Sequence, residues 1–323
     1  MNNSQVREGI WRGTISLNDS IDLPFNFKLT HQDSGYKVVI HNAEEEIVIT
    51  DITLQNDSLK IQMPVFASYL LVQPEAEQMK GMYIRPDAKD YRLPFKAVYG
   101  DTSRFAAKAD KCCDINEKWR VKLSPGTEDE DPAIAYFKQQ GKRVTGSFVT
   151  PYGDFRYLEG SISGDSLFLS SYDGNNLYYF EAQVMDGQMI KGLRYWGRSF
   201  AEPWIAFRDE DFALPDADTL THLKEGFEGI SFRYPSLEGD TLSLQDFAGQ
   251  PVIITIMGSW CPNCMDEARY LTDLHRQYHD DGLAIVGLTF ERVKDRKTAL
   301  ARARKMKRGH WHNLPRIAGR SNP

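Results

Sequence analysis

The chain has few cysteines for its length. Its 323 residues include four, and these fall in two close pairs, Cys112 with Cys113 and Cys261 with Cys264. A small domain held together by disulfides would carry cysteine far more densely. This scarcity excludes a disulfide-stapled scaffold, and each pair is therefore considered for its own chemistry.

Excess positive charge and long apolar runs are also lacking. The formal net charge is −6, which gives the chain no overall basic character for binding nucleic acid. No apolar run approaches the roughly 20 residues that a helix needs to cross a bilayer. Residues 1–4 contain no basic segment followed by an apolar one, so we expect that a signal peptide is either absent or was removed before the start of this chain.

Residues up to about 210 lack helical periodicity and predict strands. Short segments rich in β-branched and aromatic residues alternate with turn signals. Several short motifs then return with nearly the same offset in residue number. These are Trp11-Arg12 with Trp119-Arg120, Asp57-Ser58-Leu59 with Asp165-Ser166-Leu167, and Pro94-Phe95 with Pro203-Trp204. We predict a duplicated all-β region, repeat 1 over 1–107 and repeat 2 over 108–210, built as barrels or a sandwich.

The first cysteine pair lies in the connection between the two predicted repeats. Adjacent cysteines such as Cys112 and Cys113 can close only a strained ring. We therefore expect two ordinary thiols here, and a vicinal disulfide is the alternative.

A different pattern follows an acidic, proline-bearing linker at 211–225. The apolar run over 252–257 predicts a central strand buried on both faces. A helix is expected over about 261–278, a second buried strand over 283–290 and a basic helix over 294–307. This order implies parallel strands joined by a right-handed crossover, and hence an α/β domain over 226–323.

The second cysteine pair stands where the predicted strand gives way to the helix, in the motif Cys261-Pro262-Asn263-Cys264. The unpaired N–H groups and the positive dipole end of a helix N-terminus stabilise a thiolate. Pro262 suits the first helical position. We predict that Cys261 is the attacking thiolate and Cys264 the resolving thiol.

Zinc binding is the alternative for the same two cysteines. A structural zinc site needs a second pair of ligands at suitable spacing. The histidines that follow are His275, His279, His310 and His312. His275 and His279 would lie about three turns further along the helix, so redox chemistry is favoured and no metal is expected.

From about residue 226 onward the sequence resembles the thioredoxin fold, and specifically the TlpA/ResA-like thiol–disulfide oxidoreductases of the AhpC/TSA–redoxin superfamily. The resemblance is carried by the apolar strand leading into residues 260–264, by the segment 244–251 and by the strand 285–290. It implies a redox-active Cys261–Cys264 disulfide, with no other cofactor. It also implies three active-site neighbours, Trp260, Pro262 and Asn263.

Glu267 is the third catalytic candidate. ResA-like proteins carry a partly buried glutamate three residues after the second cysteine, where it tunes the cysteines and moves protons, and Glu267 stands at that spacing from Cys264. Thr255 occupies the position at which thioredoxin keeps a buried aspartate. The alternative is that Glu267 is a surface residue.

A complete domain of this type continues with a further strand pair and a final helix, so we expect the chain to be truncated at its C-terminus. The β-rich region before such a domain resembles envelope proteins of Bacteroidetes-type bacteria. That resemblance implies a location in the periplasm or cell envelope, with any membrane attachment through an N-terminal anchor outside this chain. The partners it implies are protein thiols and disulfides and an upstream electron donor.

Three functions remain open. The first is thiol–disulfide exchange through Cys261 and Cys264, with reduction of protein disulfides favoured and oxidation as the alternative direction. The second is a peroxiredoxin-like peroxidase, but peroxiredoxins place Thr or Ser three residues before the reactive cysteine, and this chain has Gly258 there. The third is a binding protein whose β region holds a ligand and whose redox domain is inactive.

Overall fold

The structure is a computed structural model. It describes residues 6–32, 35–55, 57–64, 66–110, 113–198, 201–293, 295–310 and 316–321, with side chains described up to 307. The chain divides into two compact units, Met1–Leu220 and Thr221–Pro323. Each unit is described by itself.

The first unit opens with a nine-stranded antiparallel sheet. Its strand order is β4-β3-β2-β1-β9-β8-β7-β6-β5, so that neighbours in the chain are mostly neighbours in the sheet. Side chains alternate between core and surface, as expected for strands with one buried face. The strands are β1 (Gly9–Ser16), β2 (Asp22–Gln32), β3 (Gly35–Asn42), β4 (Glu45–Ile49), β5 (Ile52–Gln55), β6 (Ser58–Gln62), β7 (Tyr69–Pro74), β8 (Gln78–Arg85) and β9 (Tyr91–Tyr99).

The second sheet of this unit also has nine strands. Its order is β11-β10-β18-β17-β16-β15-β14-β12-β13, and a further pairing of β11 with β12 closes it into a barrel. Closure leaves the paired strands of the ring without a free edge. The strands are β10 (Glu117–Leu123), β11 (Asp131–Gln140), β12 (Arg143–Thr150), β13 (Gly153–Asp154), β14 (Leu158–Ser163), β15 (Ser166–Tyr172), β16 (Leu177–Met185), β17 (Met189–Trp196) and β18 (Glu202–Arg208).

The two sheets share a local arrangement around a buried tryptophan. Trp11 and Trp119 are both fully buried. The indole N–H of Trp11 donates to the carbonyl oxygen of Arg7 over 3.1 Å, and that of Trp119 donates to the carbonyl oxygen of Ile115 over 3.0 Å. Each tryptophan therefore ties its strand to the segment four residues before it, as equivalent positions in a repeated unit would.

A polar seam also joins the two sheets, formed by Asn42, Arg104, Glu159 and their hydrogen-bond partners. The guanidinium of Arg104 is buried, and its Nη1 donates to the carbonyl oxygen of Ser170 over 2.9 Å. Its Nη2 donates to the carbonyl oxygen of His41 in the first sheet. Burial lowers the pKa of Arg104 to about 10, which still leaves the group charged at neutral pH. A buried charge needs fixed hydrogen-bond partners. Because the partners of Arg104 belong to both sheets, this residue helps to fix one sheet relative to the other.

Cys113 corrects one expectation. Cys112 lies outside the described residues, but Cys113 is disulfide-bonded rather than an ordinary thiol. It is half-buried and packs against the hydrophobic core of the second sheet. Its sulfur therefore contributes to packing as well as to a covalent link.

The second unit is an α/β arrangement preceded by a short hairpin, β19 (Arg233–Pro235) with β20 (Thr241–Ser243). Strands β21 (Val252–Met257), β22 (Ala284–Glu291) and β23 (Arg316–Ser321) form a parallel sheet in that order. Helix α1 (Pro262–Tyr278) connects β21 to β22, and helix α2 (Arg296–His310) connects β22 to β23.

The middle strand of this sheet is β22, which corrects the prediction that the apolar run of β21 is the central, fully buried strand. Among the described residues β21 pairs on one side alone, and its Ile256 is 76% exposed. Residues 284–287 of β22 are all buried. The predicted order, an all-β region followed by an α/β domain, makes the chain a multidomain α+β protein. The structure agrees with this coarse class, with about half of the described residues in strands and the helices α1 and α2 in the second unit.

Candidate functional site

The candidate site lies at the carboxyl ends of the parallel strands β21 and β22. The two strands are in register, with Val252 beside Ala284 and Met257 beside Thr289. The chain leaves β21 at Met257, passes through a tight segment and enters α1 at Pro262. Ligands and reactive groups of open α/β sheets commonly lie at this edge, where loops leave the strands.

Cys261 is the N-cap residue of α1, and Pro262 occupies its first turn. The sulfur of Cys261 accepts a hydrogen bond from the backbone N–H of Cys264 over 3.2 Å. That N–H is one of those that a helix start leaves without an internal partner. A backbone N–H of the helix N-terminus thus contacts the Cys261 sulfur directly, as the order of residues in the motif predicted.

Cys264 lies one turn into α1 and is joined to Cys261 by a disulfide, with the two Cα atoms 5.3 Å apart. Both residues are half-buried. The structure therefore brings together the two predicted cysteines in a form that can break and re-form. A reagent can approach the pair, since neither residue is sealed in the core.

Trp260 precedes Cys261 and is fixed by the end of β22. Its indole N–H donates to the carbonyl oxygen of Phe290 over 2.8 Å. The guanidinium carbon of Arg292 lies 3.5 Å from the centre of the Trp260 ring, which is a cation–π contact. Trp260 is therefore a fixed neighbour of the disulfide rather than a loose surface ring.

Gly258 permits this close approach. A Cβ placed on Gly258 would collide with the indole nitrogen of Trp260 and would lie 2.7 Å from the carbonyl oxygen of Phe290. Because a backbone oxygen cannot move aside cheaply, any side chain here would displace the segment that leads to Cys261. The threonine or serine of a peroxiredoxin site would meet this obstacle.

Asn263 is half-buried within the first turn of α1, next to Pro262. Glu267 is exposed, so the partly buried setting that the resemblance implied for it is wrong. The face of α1 that packs inward carries Met265, Ala268, Leu271 and Thr272. Glu267 is not among these buried residues, and its role in proton transfer stays a prediction.

Glu291 and Ser259, which the sequence did not indicate as site residues, also belong to the site. Glu291 is 0% exposed at the end of β22, and its carboxylate accepts hydrogen bonds from the backbone N–H and the hydroxyl of Ser259. The sequence signal was a carboxylate directly after the apolar run of a predicted strand. Because carboxyl ends of parallel strands meet at one edge, Glu291 could have been placed near the cysteines.

The described residues contain no cluster of three or more His, Cys, Asp or Glu side chains able to hold a metal ion. The rings of His275 and His279 lie 5.3 Å apart near the end of α1. Burial, followed by the charge of His279, lowers the pKa of His275. No helix within the described part of the chain combines the length and apolar character that spanning a membrane requires.

Comparison with known proteins finds similarities in the second part of the chain. Residues 226–315 match the AhpC/TSA family model. The resemblance to thioredoxin-fold thiol–disulfide oxidoreductases is therefore confirmed for the segment that carries Cys261 and Cys264, and the β-rich region is additional to it.

Curated relatives point the same way. The thiol–disulfide oxidoreductase ResA of Bacillus thuringiensis subsp. konkukian is 35% identical over 63 residues, which is 20% of this chain and 36% of ResA. The thiol:disulfide interchange protein DsbE of Vibrio cholerae is 35% identical over 52 residues, covering 16% of this chain and 26% of DsbE. The chain thus spans about a third of the length of the ResA proteins it matches.

A solved structure is also similar to this chain. The thioredoxin domain of a thiol–disulfide oxidoreductase from Bacteroides vulgatus shares 20% sequence identity with it. The match covers 30% of this chain and 65% of that domain, with a TM-score of 0.25.

Proposed function

We propose that this protein is a thiol–disulfide oxidoreductase that exchanges disulfides with protein thiols through Cys261 and Cys264, and that it works as a reductase. The observation that carries the proposal is the hydrogen bond from the Cys264 N–H to the sulfur of Cys261 at the start of α1. A sulfur in this position is stabilised as a thiolate, which is the attacking form in disulfide exchange.

The proposed reaction starts from the reduced pair. The Cys261 thiolate attacks one sulfur of a substrate disulfide, which forms a mixed disulfide and releases the other substrate sulfur as a thiolate that takes up a proton. The thiolate of Cys264 then attacks the sulfur of Cys261, forms the Cys261–Cys264 disulfide and releases the second substrate sulfur. Two electrons pass to the substrate, and a donor dithiol returns them to the cysteine pair.

The reducing direction is supported by the residues between the cysteines. Pro262 and Asn263 are both uncharged. A cation at either position would add to the helix in stabilising the thiolate, and a strongly stabilised reduced form makes a strong oxidant. Without that extra charge, we expect a potential nearer to the roughly −270 mV of thioredoxin than to the roughly −120 mV of DsbA.

The partners in this proposal are protein disulfides as substrates and a separate dithiol protein as electron donor. The location proposed is the periplasm or cell envelope, in keeping with the family resemblance. Labelling of Cys261 and Cys264 in intact cells by a membrane-impermeant thiol reagent tests the location. Labelling that requires cell lysis would contradict it.

The experiment that tests the activity is reduction of insulin disulfides with dithiothreitol as electron source. The wild-type chain is expected to accelerate insulin precipitation. A chain with both Cys261→Ser and Cys264→Ser, which keeps Cys112 and Cys113, is the matched control and is expected to be inactive.

A parallel assay with hydrogen peroxide separates the alternatives. Consumption of peroxide without insulin reduction would favour the peroxidase, against which the steric position of Gly258 argues. Absence of both activities would favour a binding protein with an inactive redox domain.

A further inference from the structure

Glu291 is a buried carboxylate that the exchange reaction described above does not use. It is 0% exposed, at the last position of β22. One carboxylate oxygen accepts from the backbone N–H of Ser259 over 2.9 Å, and the other accepts from the Ser259 hydroxyl over 2.6 Å. A charge removed from water is tolerated only when such partners hold it in place.

The parallel register explains why these two residues meet. Met257 is paired with Thr289 at the end of the ladder between β21 and β22. Ser259 and Glu291 stand two residues further along each chain, just beyond that pair, where the Ser259 N–H and hydroxyl reach the Glu291 carboxylate. The Glu291 carboxylate therefore continues the strand pairing beyond the last ladder residue and holds the backbone just before Cys261.

The residues on either side of Glu291 hold the next residue of the same segment. The Phe290 carbonyl oxygen accepts the indole N–H of Trp260, and the Arg292 guanidinium lies against the Trp260 ring. Three consecutive residues at the end of β22, Phe290 to Arg292, thus hold Ser259 and Trp260 in place. We call residues 290–292 the strand-end clamp.

We propose that Glu291 is a positioning residue that sets the redox potential of the Cys261–Cys264 pair by fixing Ser259, and through it the backbone that carries Cys261. This inference rests on the proposed function. The disulfide closes at a Cα separation of 5.3 Å. A segment held near that separation keeps the two sulfurs close in the reduced state as well, so the disulfide forms with little loss of freedom.

Release of the segment has a defined consequence. When Ser259 is no longer fixed, the reduced cysteines sample more positions and the reduced state gains entropy. The disulfide then becomes easier to reduce. Glu291→Leu, which keeps a similar volume and removes both hydrogen bonds, should lower the equilibrium constant for disulfide formation about tenfold, which is about 30 mV toward less negative potential.

The test is equilibration of the full chain in glutathione redox buffers, followed by alkylation and peptide mapping that reports Cys261 and Cys264 separately from Cys112 and Cys113. Ser259→Ala removes one of the two hydrogen bonds and should shift the equilibrium constant about threefold in the same direction. Glu291→Gln keeps an acceptor for the Ser259 N–H and a donor for its hydroxyl. It should therefore restore the wild-type value to within about twofold.

The matched control is Asp273→Asn, an exposed carboxylate on α1 whose ion-pair partner is Arg276. It should leave the potential unchanged. If Glu291→Leu does not fold, Ser259→Ala decides the question. Wild-type potentials in every folded variant would overturn the inference, and so would a Glu291→Gln shift as large as that of Glu291→Leu, because the charge alone would then set the potential.

The wild-type measurement separates this inference from the proposed function. If the Cys261–Cys264 pair of the wild-type chain does not exchange with glutathione at all, the proposed function fails. If it exchanges and the variants match it, only the positioning role of Glu291 fails.

Discussion

The side-chain amide of Asn42 pairs with the backbone of Tyr172 as a neighbouring strand would. Its nitrogen donates to the Tyr172 carbonyl oxygen over 2.9 Å, and its oxygen accepts from the Tyr172 N–H over 3.3 Å. Asn42 is 0% exposed and ends β3 of the first sheet, whereas Tyr172 ends β15 of the second. One buried amide thus links the ends of two strands that belong to different sheets.

We expect Asn42→Ala to destabilise the first unit by about 2–4 kcal/mol, because it leaves a buried N–H and a buried carbonyl group without their partner. Urea unfolding followed by tryptophan fluorescence measures the change. Gln55→Ala, at an exposed position of β5, is the control and should stay within about 0.5 kcal/mol of wild type. A change at Asn42 as small as that of the control would show that the seam adds no stability.

The β-rich region should fold without the rest of the chain. Its two sheets share a seam and a core, in which Tyr172 and Tyr179 of the second sheet pack among residues of the first. A chain ending at Leu220, where the first compact unit ends, is expected to unfold cooperatively and to show β-type circular dichroism. A disordered spectrum would place the boundary elsewhere.

Acid should weaken the seam through Glu159. Burial acts to raise the pKa of Glu159, but the hydrogen bond from Arg143, the charge of Arg104 and the Ala43 N–H outweigh it and hold the pKa below its ordinary value. A carboxyl with a lowered folded-state pKa adds stability above its unfolded pKa of about 4.3, and this stability is lost as pH falls through the folded value.

Glu159→Gln should therefore destabilise the protein at pH 7, and its difference from wild type should shrink as pH drops below about 4.3. Urea midpoints measured between pH 7 and pH 3 provide the check. Glu128→Gln, on an exposed turn, should follow the wild-type curve throughout. A Glu159→Gln difference that stays constant with pH would contradict the assignment.

Local signals in the sequence were sufficient for much of the redox unit. The Cys-Pro-Asn-Cys motif after an apolar run predicted the start of α1 and the position of Cys261, because helix capping depends on adjacent residues. The burial of β21 was mispredicted for a non-local reason. Whether an apolar strand is central or lies at a margin depends on which later segments pair with it, and here β23 pairs with β22.

Contacts between distant residues could not be predicted from local patterns. The bond between Ser259 and Glu291 depends on the register of two parallel strands, which the intervening helix does not fix. The pairing of Asn42 with Tyr172 depends on how two sheets meet. Glu267 was placed correctly on α1, but helical spacing alone did not determine which face of that helix is exposed.

Glu267 is expected to act on the cysteines only through a screened charge. Because its side chain is exposed, Glu267→Gln should lower the apparent pKa of the Cys261 thiol by a few tenths of a unit at low salt, and the shift should vanish at about 1 M salt. Thiolate absorbance titrations of the reduced protein provide the comparison. Asp273→Asn is the control on the same helix, and superimposable low-salt curves for Glu267→Gln and wild type would remove Glu267 from the site.

The most direct test of the central claim, that Cys261 attacks and Cys264 resolves, is trapping of mixed disulfides by single-cysteine variants. With Cys264→Ser, the mixed disulfide on Cys261 cannot be resolved and should accumulate with a protein disulfide such as insulin, visible by mass spectrometry and reversed by dithiothreitol. Cys261→Ser should trap little, because the remaining sulfur of Cys264 lacks the N-cap position that stabilises a thiolate. Equal trapping by both variants, or trapping by neither, would contradict the account.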